Sequence, residues 1–486
     1  MENLAYQSAA ELVTAFRAGS LSPVEVTQAT LARIDRLNPS INAFCHVAHE
    51  SALAEARASE ARWAKGAPLS PIDGVPAGIK DLILTKAMPT LRGSKTVGAG
   101  GPWLDDAPAT ARLKEAGAVI LGKTCTPEWG WKGATDSPLT GITRNPWNMG
   151  VTPGGSSGGA SAALAAGLGP LHIGTDGGGS IRIPNAFTAT TGIKAHFGRV
   201  PAWPLSPMGT VAHVGPMTRD IRDCALLLNV ITQPDARDWS ALPPHDTDWS
   251  ANLRAGVKGL RIAYSPRLGY VPHVNADIEA AVKRAVQVFV ELGAQVEQCD
   301  PGFADCGPLF ATHWFATARN TFGKLPPDKF KLMDPGLQAT CEYAARYTIA
   351  DFLDYQAARV QVGEAMKRFN TRFDLLITPA TAVPAFEVGR VSPDLPNGVT
   401  SGVTSAPEDW TWWTPFSFPF NLTQQPALSV NCGFTQTGVS GLPGLPGLPG
   451  LPIGLQIVAP AYREDLALRA AAAFEAARGP LTWPTL

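Results

Sequence analysis

An α/β layered fold built on a largely parallel or mixed sheet is what this sequence predicts, on three observations. Short apolar runs recur at 76–84, 118–121, 171–174, 260–264, 374–378 and 455–458, each the length of a buried strand. Helical patterns separate several of them; Ile278, Val282, Ala285 and Phe289, for example, share one face of a helix over 277–292. With 486 residues and 45% apolar side chains, the chain can bury one large core or two smaller ones.

The elements follow in order. Ser8-Ala9-Ala10-Glu11 is a capping-box pattern opening a helix that Gly19 closes. Ser22-Pro23-Val24-Glu25 repeats it with proline at the first helical position, and Val24, Leu31 and Ile34 then share a face. An alanine-rich helix over 50–64 completes an N-terminal helical region, 1–65. A strand over 76–84 carries one lysine, Lys80, and is followed by a helix over 109–116. Small residues from Ala160 to Gly167 read as a short, tightly packed helix between two glycine-serine clusters. Residues 233–256 and 384–412, rich in Pro, Asp, Ser and Gly, read as surface excursions. Four Gly-Leu-Pro units over 441–452 are too few and too apolar for collagen and read as an extended loop with polyproline character.

Composition excludes several functions. The formal net charge of −1 and the absence of like-charge runs argue against nucleic-acid or anionic-membrane partners. Seven scattered cysteines form no Cys-x-x-Cys pair, so buried thiols are expected rather than a metal site or disulfide framework. The N-terminal residues lack the basic and apolar regions of a signal peptide, and no run is apolar enough to span a bilayer. A soluble, cytoplasmic protein is expected.

Three motif readings compete. Gly117 to Thr124 has Walker A spacing, but a helix precedes it, its middle residues read as a strand and Pro127 follows, so the context is wrong for a phosphate loop. Gly154-Gly155-Ser156-Ser157-Gly158 matches a hydrolase nucleophile elbow, and several histidines lie downstream. Thr152-Pro153 is a poor strand end for such an elbow, which stays open as an alternative. The third reading joins Ser156, Ser180 and Lys80. A serine nucleophile needs a base, and a lysine serves only when neutral; burial among Ile79, Leu82, Ile83 and Leu84 lowers its pKa. A second serine can relay the proton, and Gly177, Gly178 and Gly179 can turn N–H groups toward an oxyanion.

The clusters Gly154 to Gly159 and Gly174-Thr-Asp-Gly-Gly-Gly-Ser-Ile-Arg182 together resemble the signature of the amidase signature family of serine hydrolases. The likeness extends to Gly74 to Asp81, Gly122 to Glu128, Arg144 to Asn148, Gly192 to Val200, Pro419 to Ala427 and Gly454 to Val458, nearly the whole chain. It implies one domain over 1–486 with its signature core in 70–220, a three-layer α/β/α fold around a large mixed sheet, and no metal or cofactor. It places the catalytic lysine on Lys80, the bridging serine on Ser156 behind a cis peptide, the nucleophile on Ser180 and the oxyanion hole on Gly177, Gly178 and Gly179. Three departures stand out: Gly177 replaces a frequent threonine or isoleucine, Lys194-Ala195-His196 replaces Lys-Pro-Thr, and the Gly-Leu-Pro unit is repeated.

Asp176 and Arg182 flank Ser180 and are expected to pair and support the site. Ser157 is expected to cap a turn or helix, His196 to be structural, and Lys123 and Lys194 to be solvated or structural charges. Trp410, Trp412, Trp413, Phe416, Phe418 and Phe420 are core candidates whose alternative is to wall the pocket. The expected activity is hydrolysis of a small-molecule, apolar or aromatic amide, with esters and carbamates as further candidates and a homodimer as the candidate assembly. Its rivals are an amidotransferase component that supplies ammonia from glutamine to a partner, and a non-catalytic binding protein on the same fold.

Overall fold

The computed structural model describes residues 4–394, 410–436 and 450–486. The Gly-Leu-Pro units up to 449 and most of the excursion expected at 384–412 lie outside the described residues. Both predicted capping boxes form: Ser8 with Glu11 opens the helix Ala9–Ala18, and Ser22 with Glu25 opens Pro23–Ile41. Gly19 ends the first in the left-handed conformation. Residues 233–256 contain no helix or strand, although Asp238 and Trp249 are buried.

The strands are β1 (Phe44–Val47), β2 (Pro76–Lys80), β3 (Val119–Thr124), β4 (Asp136–Ser137), β5 (Gly141–Ile142), β6 (Leu171–Asp176) and β7 (Thr191–Lys194). They continue as β8 (His213–Thr218), β9 (Arg261–Tyr264), β10 (Gln295–Gln298), β11 (Leu375–Pro379), β12 (Ala427–Phe434) and β13 (Pro452–Val458). Apart from the small β4–β5 pair, they form one sheet in the order β1-β3-β2-β6-β8-β7-β12-β13-β11-β9-β10. The pairs β3–β2–β6 and β11–β9–β10 are parallel and those between β6 and β11 antiparallel, so the sheet is mixed, as predicted. Strands β2, β3, β11 and β13 are buried at every residue, so both sheet faces are covered by other layers. Among the described residues, no helix is long and apolar enough to cross a membrane.

Two expectations need correction. The strand at 76–84 stops at Lys80: Ile83 N–H closes a turn onto Lys80 O at 2.9 Å, and the Asp81 carboxylate takes the N–H groups of Leu91 and Gly93. Conversely, β3 runs through Gly122, Lys123 and Thr124, so the Walker-like segment is sheet with no phosphate loop in it. The small-residue helix is Gly158–Ala165 and fully buried. A Cβ on Gly158 would lie 2.3 Å from Thr135 Oγ1 and one on Gly159 2.4 Å from the Cys125 backbone nitrogen, which is why two glycines open this helix. That close approach seats the preceding serines beside the end of β2.

Candidate active site

Lys80, at the C-terminal end of β2, is completely buried. Its Nζ lies 2.7 Å from Ser156 Oγ, 2.9 Å from Ser157 Oγ and 2.8 Å from Thr175 Oγ1. Burial pushes the Lys80 pKa well below that of a free lysine, against the opposing attraction of Asp176. Both serines lie in the turn entering the helix Gly158–Ala165, and the Gly155–Ser156 peptide is cis. No strand leads into Ser156, and Lys80 is its hydrogen-bond partner, so the elbow alternative lacks its structural context. Ser157 occupies the N-cap position yet makes no capping bond. Its hydroxyl instead donates to Thr175 O at 3.1 Å and receives Thr175 N–H at 3.2 Å. Of the turn or cap expected of Ser157, the turn is present and the cap does not form, because its hydroxyl is taken by the β6 backbone and by Lys80.

Ser180 sits in the bend between β6 and the short helix Arg182–Thr188. The bend is held by a buried ion pair. Arg182 Nε and Nη2 grip the two oxygens of Asp176 at 2.9 Å each, and both side chains are fully shielded from solvent. Arg182 also reaches Ser417 O, Gln456 Oε1 and Asn421 Oδ1, while Asn421 Nδ2 returns to Asp176 Oδ1. Burial alone would raise the Asp176 carboxyl; the Arg182 guanidinium overcomes it and holds the group well below the usual carboxylate range.

The same carboxylate takes the Gly179 N–H at 2.8 Å and the Ile181 N–H at 3.2 Å. Gly179 is therefore corrected as an oxyanion donor, since its N–H is committed inward. Among the described residues, the N–H groups of Gly177, Gly178 and Ser180 donate to no protein acceptor. Side chains also explain the glycines. A Cβ on Gly177 would meet the Trp314 ring at 2.9 Å, and one on Gly178 would meet Phe310 at 2.5 Å. Close packing against the Trp314 ring is thus what calls for glycine at 177.

A cavity of about 280 Å³ opens onto Ser156, Thr175, Gly177 and Ser180. Its apolar walls include Leu82, Ile83, Trp129, Phe197, Trp314 and Phe322. None of the aromatic residues from Trp410 to Phe420 lines it; Trp410, Trp413, Phe416, Phe418 and Phe420 are buried core. They act one layer back: Phe418 stacks on Phe310 at 4.9 Å, and Phe310 on the wall residue Trp314 at 5.3 Å. His196 and His213 also line the cavity. Burial and the charges of Lys194 and Arg199 push the His196 pKa down to about 3, so its ring is neutral. Lys123 and Lys194 are fully buried rather than solvated; Lys194 Nζ donates to Gln425 O, and Lys123 Nζ to Ile83 O and Thr90 Oγ1.

The structure thus brings Ser156 and Ser180 to one cavity, with Lys80 buried behind Ser156 and hydrogen-bonded to it. Sequence reasoning missed Thr175, Ser417, Asn421, Gln456 and Trp314. Asn421 and Gln456 stand in stretches that carry the family resemblance, and a buried arginine needing acceptors was the signal for both.

The Amidase family's sequence profile matches residues 25–468. The chain is 35% identical to an acylamidase of Rhodococcus erythropolis, over 98% of this chain and 96% of that one. It is also 35% identical to a glutamyl-tRNA(Gln) amidotransferase subunit of Myxococcus xanthus, over 96% of each. Its fold is similar to the crystal structure of a bacterial aryl acylamidase of the amidase signature family, with a TM-score of 0.85, 29% identity and coverage of 97% and 96% of the two chains.

Proposed function

The chain belongs to the amidase signature family of amide hydrolases, and on that premise we propose that it cleaves a carboxylic amide through a Ser180 acyl-enzyme, with Lys80 as base acting through Ser156. The observation that carries this reading is the hydrogen bonding of Lys80. A neutral amine has two N–H donors and one lone pair. The Ser157 proton is directed to Thr175 O, so Ser157 can only accept from Lys80. Ser156 Oγ and Thr175 Oγ1 then share the second N–H and the lone pair, and the relay takes the arrangement in which Thr175 accepts and the Ser156 hydroxyl donates to Lys80. That is the orientation a proton relay requires.

The steps follow. Ser180 Oγ attacks the amide carbonyl, its proton passes to Ser156, and the Ser156 proton passes to Lys80. The N–H groups of Gly177, Gly178 and Ser180 receive the developing oxyanion. As the C–N bond breaks, the relay runs backwards and protonates the leaving amine. Water then attacks the acyl-enzyme by the same relay, releasing the acid and restoring Ser180.

The apolar cavity supports an apolar or aromatic amide as substrate, with esters of the same acyl group, and carbamates, within reach of this chemistry. A second reading, glutamine hydrolysis for a partner protein, has one observation in its favour. Arg92 lines the cavity, its guanidinium 4.9 Å from the Trp129 ring, and can hold a carboxylate. The test is turnover by the chain alone. Aryl amides hydrolysed faster than glutamine support the first reading; glutamine alone supports the second. Ser180→Ala must abolish both turnover and labelling by a serine-directed phosphonate, and near-native activity in that variant would refute the assignment.

A further inference from the structure

Arg92 lines the cavity that holds Ser180, half-buried, and among the described residues its guanidinium has no hydrogen-bond or ion-pair partner. Its nitrogens are not sealed from solvent. Its contact is the Trp129 ring, 4.9 Å away on the same wall, which supplies no hydrogen-bond acceptor and leaves the N–H donors unspent. Burial lowers the Arg92 pKa against the attraction of Asp81, whose carboxylate is turned instead to the N–H groups of Leu91 and Gly93. The backbone fixes the position. Trp129 N–H donates to Arg92 O at 2.8 Å, and both residues are left-handed, at φ 59° for Arg92 and 54° for Trp129. Non-glycine residues held there are strained, and such strain collects at ligand clamps. The next residue, Gly130, packs on the relay: a Cβ there would lie 3.0 Å from Ser156 Oγ.

The other polar groups of this wall carry no free charge. Asp238 is 5% exposed and already spent: Oδ1 accepts the Ser240 N–H and hydroxyl at 2.8 and 2.6 Å, and Oδ2 accepts the Ala202 N–H at 2.8 Å. Ser206 is uncharged, and burial holds His196 and His213 neutral. Resting on the amidase reading above, we infer that Arg92 is the substrate-recognition group of this cavity and binds a carboxylate carried by the amide. The substrates are therefore apolar or aromatic amides bearing one carboxylate, which the guanidinium can take in two parallel hydrogen bonds. Because Asp238 is committed to the protein, the wall has no counter-charge for an ammonium, so an amide whose only charge is the carboxylate fits better than a free amino acid.

The test uses pairs of aryl amides that end in a carboxylate or in the carboxamide of the same length, placed on the acyl or on the amine side. Binding is measured calorimetrically to the Ser180→Ala chain, so that the outcome does not depend on turnover. The carboxylate member of at least one pair binds about ten- to a hundredfold tighter, the span of a hydrogen bond to a charged group. Adding Arg92→Gln, with folding checked by circular dichroism, brings that ratio close to one. An Arg92 that only packs on Trp129 would weaken both members equally and leave the ratio unchanged. Should Arg92→Gln not fold, Arg92→Lys decides: it keeps the charge without the fork, and an undiminished preference there overturns the inference. It is overturned equally if no pair shows a preference, if neither set binds, or if Arg92→Gln keeps the preference. Failure of the amidase reading would show separately, as absence of turnover and of phosphonate labelling in the unmodified chain.

Discussion

Replacing Arg182 by methionine removes the cation from the ion pair behind Ser180 and leaves the Asp176 carboxylate buried. Each guanidinium nitrogen is hydrogen-bonded in the native chain, and neither partner has any solvent exposure. Removing one partner of such a pair costs about 3–5 kcal/mol. Unfolding entropy near the melting point is about 2.1 cal/mol/K per residue. Over 486 residues that is roughly 1 kcal/mol/K, so the melting temperature should drop by about 3–5 °C at pH 7.5.

The pH dependence makes this prediction specific. In the native chain the Asp176 pKa is depressed, so its contribution is fully present above the unfolded value of about 3.9 and is lost only as pH falls through the lower folded value. Between pH 5 and 8 it adds no slope. Without Arg182, burial dominates and raises the carboxyl pKa above its unfolded value. The unfolded chain then sheds its proton first, so the variant loses stability as pH rises from about 4 toward the new folded pKa. Calorimetric scans of both proteins at pH 5 and pH 7.5 should therefore show a deficit that grows with pH. The double variant Asp176→Asn, Arg182→Met, which buries no charge at this position, should regain part of the loss. A deficit under about 1 °C at pH 7.5, or one equal at the two pH values, would refute the reasoning.

Three further outcomes are expected. Lys80→Met should lower kcat/KM by about 10²–10⁴, and native activity should fall on the acid side as pH drops through the depressed Lys80 pKa, because the ammonium cannot take the Ser156 proton; a flat profile with full Lys80→Met activity would remove Lys80 from the mechanism. Ser157→Ala removes an acceptor from Lys80 Nζ and should cost about tenfold in kcat/KM while Ser180 still reacts with a phosphonate, read by steady-state kinetics and mass spectrometry. Gly177→Thr forces a Cβ against Trp314 and should destabilise by about 1–3 kcal/mol, recovered in part by adding Trp314→Ala; an additive double variant would deny the contact.

Features decided by a few adjacent residues could be read directly from the sequence. The two capping boxes, the αL glycine at Gly19 and the one-sided helix Ala276–Glu291 each depend on side chains within a turn or two of each other. Motif chemistry could group Lys80, Ser156 and Ser180 only as one of three readings, and the family resemblance was what selected it, because the site's contacts span the sheet. Ser157 lies 77 residues from Lys80 and Thr175 lies 95. What joins them is the parallel pairing of β2 with β6, where Ile79 sits opposite Ile173 and the strands carry Lys80 and Thr175 to the same edge. Nothing near residue 80 encodes that neighbour, and a serine before a small-residue helix looks like a cap whichever strand it faces. The same reasoning separates Gly177 from Gly179. Both are glycines in one bend, but one is required by the Trp314 ring above it and the other stands at φ 130°, with its N–H turned to Asp176. A run of three glycines states that the chain must bend closely past something; only the packed neighbours decide which N–H groups remain free to meet a substrate.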